Sequence, residues 1–245
     1  MTAHSPVRLA MWSGPRNIST AMMRSWENRP DCMVVDEPLY GYYLHETGID
    51  HPGRDLVLAS MPRDLGIAVD TLLAPLPEGV SVQYQKHMTH HLLPSTDRSW
   101  IAGLHNVLLI RDPREVVASY LRSRDSVEPA DIGVPQQVEL YERLSRDGVS
   151  PPIIDAADFL RAPEVYLRWL CSWLGLEFQP QMLSWPAGPR DSDGVWAPYW
   201  YDAVRRSTGF EPWRPRDPQL DGHAAEVADA CADGFKALHR QRLQL

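Results

Sequence analysis

The stretch Ser13, Gly14, Pro15, Arg16, Asn17, Ile18, Ser19, Thr20 lies between a short apolar run and a helical pattern, STAMMRSW. A loop in that position aims backbone N–H groups at its mouth, and the start of the following helix adds partial positive charge, so together they suit an anion. Arg16 contributes a full charge in a fork that matches phosphate or sulfate oxygens. The hydroxyls of Ser19 and Thr20 add further donors. The Gly-Lys-Ser or Gly-Lys-Thr ending with which nucleoside triphosphatases hold phosphate and magnesium is missing, which argues against an ordinary ATPase. Spacing alone also allows a plain turn capped by Ser19.

A second group of residues has the same chemical character. In LLIRDPREVVASYLRSR, Arg111 closes an apolar run and Ser119 follows eight positions later, about two helical turns on. Arg111 suits an anion, or a salt bridge to Asp112 or another acid nearby. In SVQYQKHMTHHLLP, Lys86 is one of only two lysines in the chain, the other being Lys236, and all other basic residues are arginines. His87, His90 and His91 cluster around it. A histidine there can accept a proton near neutral pH, or serve as a hydrogen-bonded group at a strand end. A metal site is disfavoured by the irregular spacing and the lack of neighbouring carboxylates. Asp36 and Glu37 in VVDEPLYGYY suit an acceptor's polar group, a base, or a solvated turn. Trp185, Trp196, Tyr199, Trp200 and Tyr201 suit either a ligand pocket or cover packing. Arg205 and Arg206 could add to an anion clamp.

Positioning these groups requires strands that end beside one another. Short apolar runs at residues 7–12, 32–35, 80–85, 106–110 and 152–155 alternate with helical patterns, as in an α/β sheet with crossover helices. After residue 110, Asp112 can cap a helix, Pro113 suits its first position, and Val116, Val117, Tyr120 and Leu121 form one apolar face. The segment APEVYLRWLCSWLGLEF predicts a helix from Pro163 to near Gly175, with Trp169 and Trp173 in the core. Residues 179–218, rich in Trp, Pro and Gly, predict loops and short helices folded over the sheet.

Composition narrows the function. The chain has 245 residues, a size that suits one large domain over residues 1–245. With 24 basic and 32 acidic residues it lacks the basic excess of a nucleic-acid-coating protein. Cys32, Cys171 and Cys231 are far apart and odd in number, which predicts reduced thiols. No apolar run approaches the ~20 residues of a membrane span. The expectation is a cytoplasmic protein.

The segments together resemble the sulfotransferases that use 3′-phosphoadenosine 5′-phosphosulfate (PAPS). That family's loop has a lysine or arginine, two residues, then two hydroxyls; Arg16, Asn17, Ile18, Ser19 and Thr20 match it, with Ile18 in place of the usual glycine. Its arginine and serine eight apart, which hold the 3′-phosphate, match Arg111 and Ser119. Its Lys-Thr-His at the third strand is matched by Lys86, with Met88 at the histidine position. Glu-Pro-Leu after the second strand and PPIIDAADFLRAPEVYLRWLCSWLGLEF are also similar, so the resemblance covers about residues 7–178.

The resemblance implies a three-layer α/β/α fold with a mainly parallel central sheet, like that of P-loop NTPases. It implies sulfuryl transfer from PAPS to a hydroxyl or amine of a small molecule, without a metal, a membrane or a nucleic acid, and it allows a homodimer. Lys86 and Arg16 would contact the transferring group, with His87, His90 or His91, in that order, as base. Glu37, His91, Trp196 and Trp200 would hold the acceptor. The alternatives are another P-loop nucleotide-dependent phosphotransferase or hydrolase, and a non-catalytic nucleotide-binding protein of the same fold.

Overall fold

Five strands form one all-parallel sheet in the computed structural model, which describes residues 6–245. They are β1 (Val7–Ser13), β2 (Cys32–Asp36), β3 (Val82–Met88), β4 (His105–Ile110) and β5 (Ile153–Asp155), in the order β2-β3-β1-β4-β5. The first five residues of the expected 1–245 span lie outside the described residues. Helices α1 (Ser19–Glu27), α2 (Tyr40–Thr47), α3 (Arg54–Ser60) and α4 (Leu65–Leu73) fall between the first three strands. Helices α5 (Pro113–Tyr120) and α6 (Val134–Arg146) link β4 to β5, and α7 (Ala156–Arg161) and α8 (Pro163–Trp173) follow. The short α9 (Ala197–Trp200) and α10 (Asp202–Arg206) precede α11 (Gly222–Arg240). None of these helices is long and apolar enough to cross a membrane.

Side chains alternate across each strand, so each strand feeds two helical layers. On one face Leu9 and Met11 of β1, Val82 and Tyr84 of β3, and Leu109 of β4 pack on Met22, Met23 and Trp26 of α1 and on Leu167 and Leu170 of α8. On the other, Ala10 and Trp12 meet Ala68 of α4 and Leu140 and Leu144 of α6, while Leu108 and Ile110 meet Leu238 of α11. This is the three-layer α/β/α architecture expected from the sequence.

The register aligns the strand ends that matter. Ser13 pairs with Met88 on one side and Leu109 on the other, Asp36 pairs with Lys86, and Asp155 with Ile110. The third strand corrects the expected 80–85. It begins later, because Ser81 and Val82 donate to the Asp31 carbonyl in a turn, and it runs on through Lys86, His87 and Met88 between two flanking strands. Its polar residues stay buried by bonding in a column. Arg8 Nη1 donates to Gln83 Oε1 (2.7 Å), Gln85 Nε2 to the same oxygen (2.8 Å), and Gln85 Oε1 bonds His87 Nε2 (3.0 Å).

Asp112 caps α5 by accepting from Arg114 N, with Pro113 at the first position, and Gly175 follows α8 with φ 71°. Trp173 corrects the core expectation: it is 39% exposed and stacks on Trp169, centroids 6.0 Å apart. The buried face of α8 is set by Tyr166, Leu167, Leu170 and Cys171, which leaves Trp173 on the flank. Helix α11 was not anticipated; its buried positions, Val227, Ala228, Cys231 and Leu238, are diluted by alanines and acids.

Gly14 is fixed by a close approach, since a Cβ there would run into the Ile132 carbonyl. Gly14→Ala is expected to lower stability by about 1–3 kcal/mol, the usual cost of overpacking, read as a lower urea midpoint in circular dichroism.

Candidate active site

A cavity of about 900 Å³ opens at the C-terminal ends of the strands, the place where open α/β sheets bind ligands. Pro15 to Ala21 form one wall, and Arg111, Ser119 and Arg122 extend it. Asn17 anchors the loop: its Nδ2 donates to the Leu109 carbonyl (3.0 Å) and its Oδ1 accepts from Ile18 N (2.8 Å). The N-cap of α1 is Ile18, without a side-chain cap bond, so the Ser19-capped turn does not form. The first-turn N–H groups of α1 therefore remain available to an anion.

Arg16 links this loop to α5. Its Nε donates to Ser119 Oγ (3.1 Å), and its carbonyl accepts from Arg111 Nη1 (2.6 Å). Arg111 also pairs with Glu115 (2.7 Å), so its anion-facing position and its ion pair coexist. Burial, then the nearby Arg122 and Arg111, lower the Arg16 pKa. Among the described residues no carboxylate lies within ion-pair reach of Arg16. Ser13 and Gly14 do not line the cavity. Ser13 is fully buried, its carbonyl taking the Thr89 hydroxyl (2.8 Å), and Gly14 packs on Ile132.

Lys86 lines the cavity, but its ammonium is engaged. It donates to Asp36 Oδ1 (2.8 Å), Glu37 Oε1 (2.6 Å) and Tyr201 Oη (2.6 Å), which uses all three of its N–H groups. Burial pulls the Lys86 pKa down, but Asp36 and Glu37 outweigh it and hold the ammonium well above the usual lysine range. Burial raises the Glu37 pKa, against the pull of Lys86. Lys86, expected to contact the transferring group, has its ammonium at the centre of a buried ion cluster. Tyr201 also donates to Asp36 (2.7 Å) and accepts from Trp196 Nε1 (3.1 Å).

The histidines separate by strand alternation. His87 points to the opposite sheet face from Lys86, is 1% exposed, and stacks on Trp12 with centroids 4.0 Å apart. Its first place as base is corrected on that ground, because it does not reach the cavity. His90 and His91 line it. Burial lowers the His90 pKa to about 3 and holds that of His91 well below its usual value. The Nδ1 atoms of both are buried without a partner. Trp200 and Glu37 also line the cavity, whereas Trp196 is buried behind Tyr201.

Several cavity residues were not singled out from the sequence. Tyr40 and His51 face it from α2 and the segment after it, joined by a 2.9 Å bond between Tyr40 Oη and His51 Nδ1. Arg214 and Arg216 line it in place of Arg205 and Arg206; Arg205 instead lies 3.8 Å from Asp193. The Pro-rich EPWRPRDP gave the only hint, arginines spaced along an extended segment. Asp155, Asp158 and His239 converge at one edge in a grouping that could hold a metal. Asp158 is already paired with Arg161 (2.6 Å) and Arg242 (2.8 Å), and Asp155 caps α7.

Comparison with known proteins gives a consistent picture. The model of the sulfotransferase domain matches residues 7–240. Two Arabidopsis thaliana proteins, branched-chain-amino-acid aminotransferase-like proteins 1 and 2, are 38% and 36% identical over 84% and 81% of this chain. The chain spans just over a third of their length, 37% and 35%. The solved sulfotransferase from Alicyclobacillus acidocaldarius aligns with a TM-score of 0.55 at 12% identity, covering 98% of each chain. The sulfotransferase domain of the Synechococcus PCC 7002 olefin synthase aligns at 0.53 and 17%, over 95% of this chain and 97% of that one. That of the curacin biosynthetic pathway aligns at 0.52 and 15%, over 93% and 98%. At these identities the likeness is one of fold. With the family match across nearly all of the sheet and its helices, the chain belongs to the sulfotransferase domain family.

Proposed function

We propose that the chain moves a sulfuryl group from PAPS to a hydroxyl or amine of a small molecule. The observation that carries this reading is the junction of Arg16 with Ser119 and Arg111, which brings residues about a hundred positions apart onto one cavity wall. Arg16 and Arg122 sit there near Arg111, and their mutual repulsion is relieved by a polyanion. A donor carrying phosphates and a sulfate suits that wall, with Arg214 and Arg216 reaching the same cavity from the cover.

Charge grows on the oxygen of the leaving phosphate as the sulfur–oxygen bond breaks. Arg16 and the first-turn N–H groups of α1 are fixed before the reaction, so they stabilise that charge without rearranging. At the other end, Glu37, Tyr40, His90, His91 and Trp200 line the space for the acceptor. Neutral imidazoles there can take the acceptor's proton. The unpaired thiols of Cys32, Cys171 and Cys231 support a cytoplasmic setting.

The names of the plant relatives raise a second chemistry. An aminotransferase forms a Schiff base on a lysine. Lys86 is clamped by two carboxylates, and Lys236 stands exposed on α11, so this chain's lysines favour sulfuryl transfer instead.

Calorimetric titration with 3′,5′-adenosine bisphosphate tests the donor assignment. Arg111→Ala is expected to weaken binding by roughly 1.5–3 kcal/mol, the worth of a charged hydrogen bond; unchanged affinity removes Arg111 from the donor site. Lys86→Met leaves Asp36 and Glu37 buried without their cation and is expected to lower stability by about 3–5 kcal/mol. Glu37 titrates above its unfolded value, so its protonated form favours the fold below about pH 4.3 and that contribution fades as pH rises. Lys86 is the main group pulling the Glu37 pKa down, so without it Glu37 rises further and the variant loses more stability than the parent as pH rises. The gap between Lys86→Met and the parent should widen from acid toward neutral pH in urea melts, and a gap that is constant with pH would refute the ion-cluster account.

A further inference from the structure

Met88 closes β3 two residues beyond Lys86 and lines the cavity, but it cannot take a proton. We propose that His51, on the segment between α2 and α3, is the proton acceptor of the transfer, its ring oriented by the bond to Tyr40 Oη. This rests on the sulfuryl-transfer reading given above.

Three observations favour His51 over the other candidates. It lines the main cavity and also a second groove, formed with Pro52, Gly53, Leu56 and Tyr199. Its Nδ1 has an orienting partner, Tyr40 Oη at 2.9 Å, as a proton-accepting imidazole requires. The rings of His90 and His91 have no such partner: their Nδ1 atoms are sealed and unbonded. His91 is sandwiched between Tyr40 and Tyr43, with centroids at 4.9 and 4.6 Å. Glu37, the acidic rival, is already bound to Lys86.

When Tyr40 Oη accepts the Nδ1–H of His51, Nε2 keeps its lone pair. Nε2 then takes the proton of the acceptor's hydroxyl or amine as the new bond to sulfur forms. The bond from sulfur to the leaving phosphate breaks, its electron pair departs with the adenosine bisphosphate, and His51 is left as imidazolium until it returns the proton to water. The ionisable groups facing the ring are Asp50 beside it, Tyr40 and Tyr43 of α2, His90 and His91 beyond β3, and Arg124 beyond α5. Burial, then Arg124, lower the His51 pKa to about 4 against the pull of Asp50, so the resting ring is neutral at pH 7.

Proton–nitrogen correlation NMR of labelled protein, with the His51 signal identified by its loss in His51→Gln, reads the tautomer without donor or acceptor. A ring protonated at Nδ1 is expected; one protonated at Nε2 overturns the proposal. In turnover with PAPS, His51→Gly is expected to lower kcat by about 10²–10⁴-fold while bisphosphate affinity stays within about twofold. Added imidazole should restore part of the rate, which a purely structural role would not allow. Full activity in His51→Gly, with the loss and the imidazole rescue found in a glycine variant of His90 instead, moves the role to His90. If the bisphosphate does not bind the parent protein, the donor reading falls and the His51 assignment falls with it; bisphosphate binding together with an Nε2-protonated ring overturns the His51 assignment alone.

Discussion

The Lys86 ammonium is almost wholly withdrawn from water, and three acceptors, Asp36, Glu37 and Tyr201, surround it. An ion of that size buried without partners carries a penalty of several kcal/mol. The strand can therefore hold a lysine there only if the ends of β2 and the cover segment converge on it. Asp36 comes from the adjacent strand in register, and Glu37 from the next residue. Tyr201 comes from far along the chain, and Asp36 also accepts from Gly194 N (3.1 Å), so the same carboxylate fastens the cover at two points. A compact cation with three donors matches three acceptors arranged around a point, where a planar guanidinium would not. This gives a physical reason for one of the two lysines in an arginine-rich chain to fall here.

The other end of the cavity is built on the opposite principle. Around Arg16 the charges are gathered and only Arg111 is matched, by Glu115, while around Lys86 they are matched almost completely. In a chain of formal net charge −8, a local excess of arginines has to be assembled by the fold, not supplied by composition. The parallel sheet does this by bringing the loop after β1 beside the start of α5. One cavity thus contains a wall that attracts an anion and a wall whose ions are spent on each other.

The sheet was legible because its strands are short apolar runs of nearly the right length, and Arg16, Arg111 and Ser119 because their spacing ties each to a strand or helix end. The histidines were not. With the third strand taken to stop at Gln85, nothing assigned Lys86 and His87 to opposite faces of the sheet. Three further residues of strand fix them to opposite faces, and the strand's polarity hid that continuation. Gln83, Gln85 and His87 satisfy one another inside the fold, which no periodicity of apolar residues can announce. Tyr40 and His51 carry no motif, since the pair exists only where the segment after α2 turns back across the cavity. Trp173 misled for a simpler reason: a large aromatic was read as core, although the helix spacing of its neighbours puts it on the flank.

Arg16 and Glu37 are the two non-glycine residues with positive φ among those described, at 53° and 45°. Such conformations cost on the order of 1–3 kcal/mol and persist where the surroundings over-determine them. Both are over-determined here. The Arg16 carbonyl is held by Arg111 and its side chain by Ser119, while Glu37 N donates to the Lys86 carbonyl (2.9 Å) and its carboxylate holds the Lys86 ammonium. Each lies just beyond a strand end, where a residue in ordinary extended geometry would continue the line of the strand. The left-handed turn instead brings each side chain to the cavity wall. The strain is thus local to the two residues that carry opposite charge into the cavity, and the partners that hold them there are the Arg111–Ser119 pair on one side and Lys86 on the other.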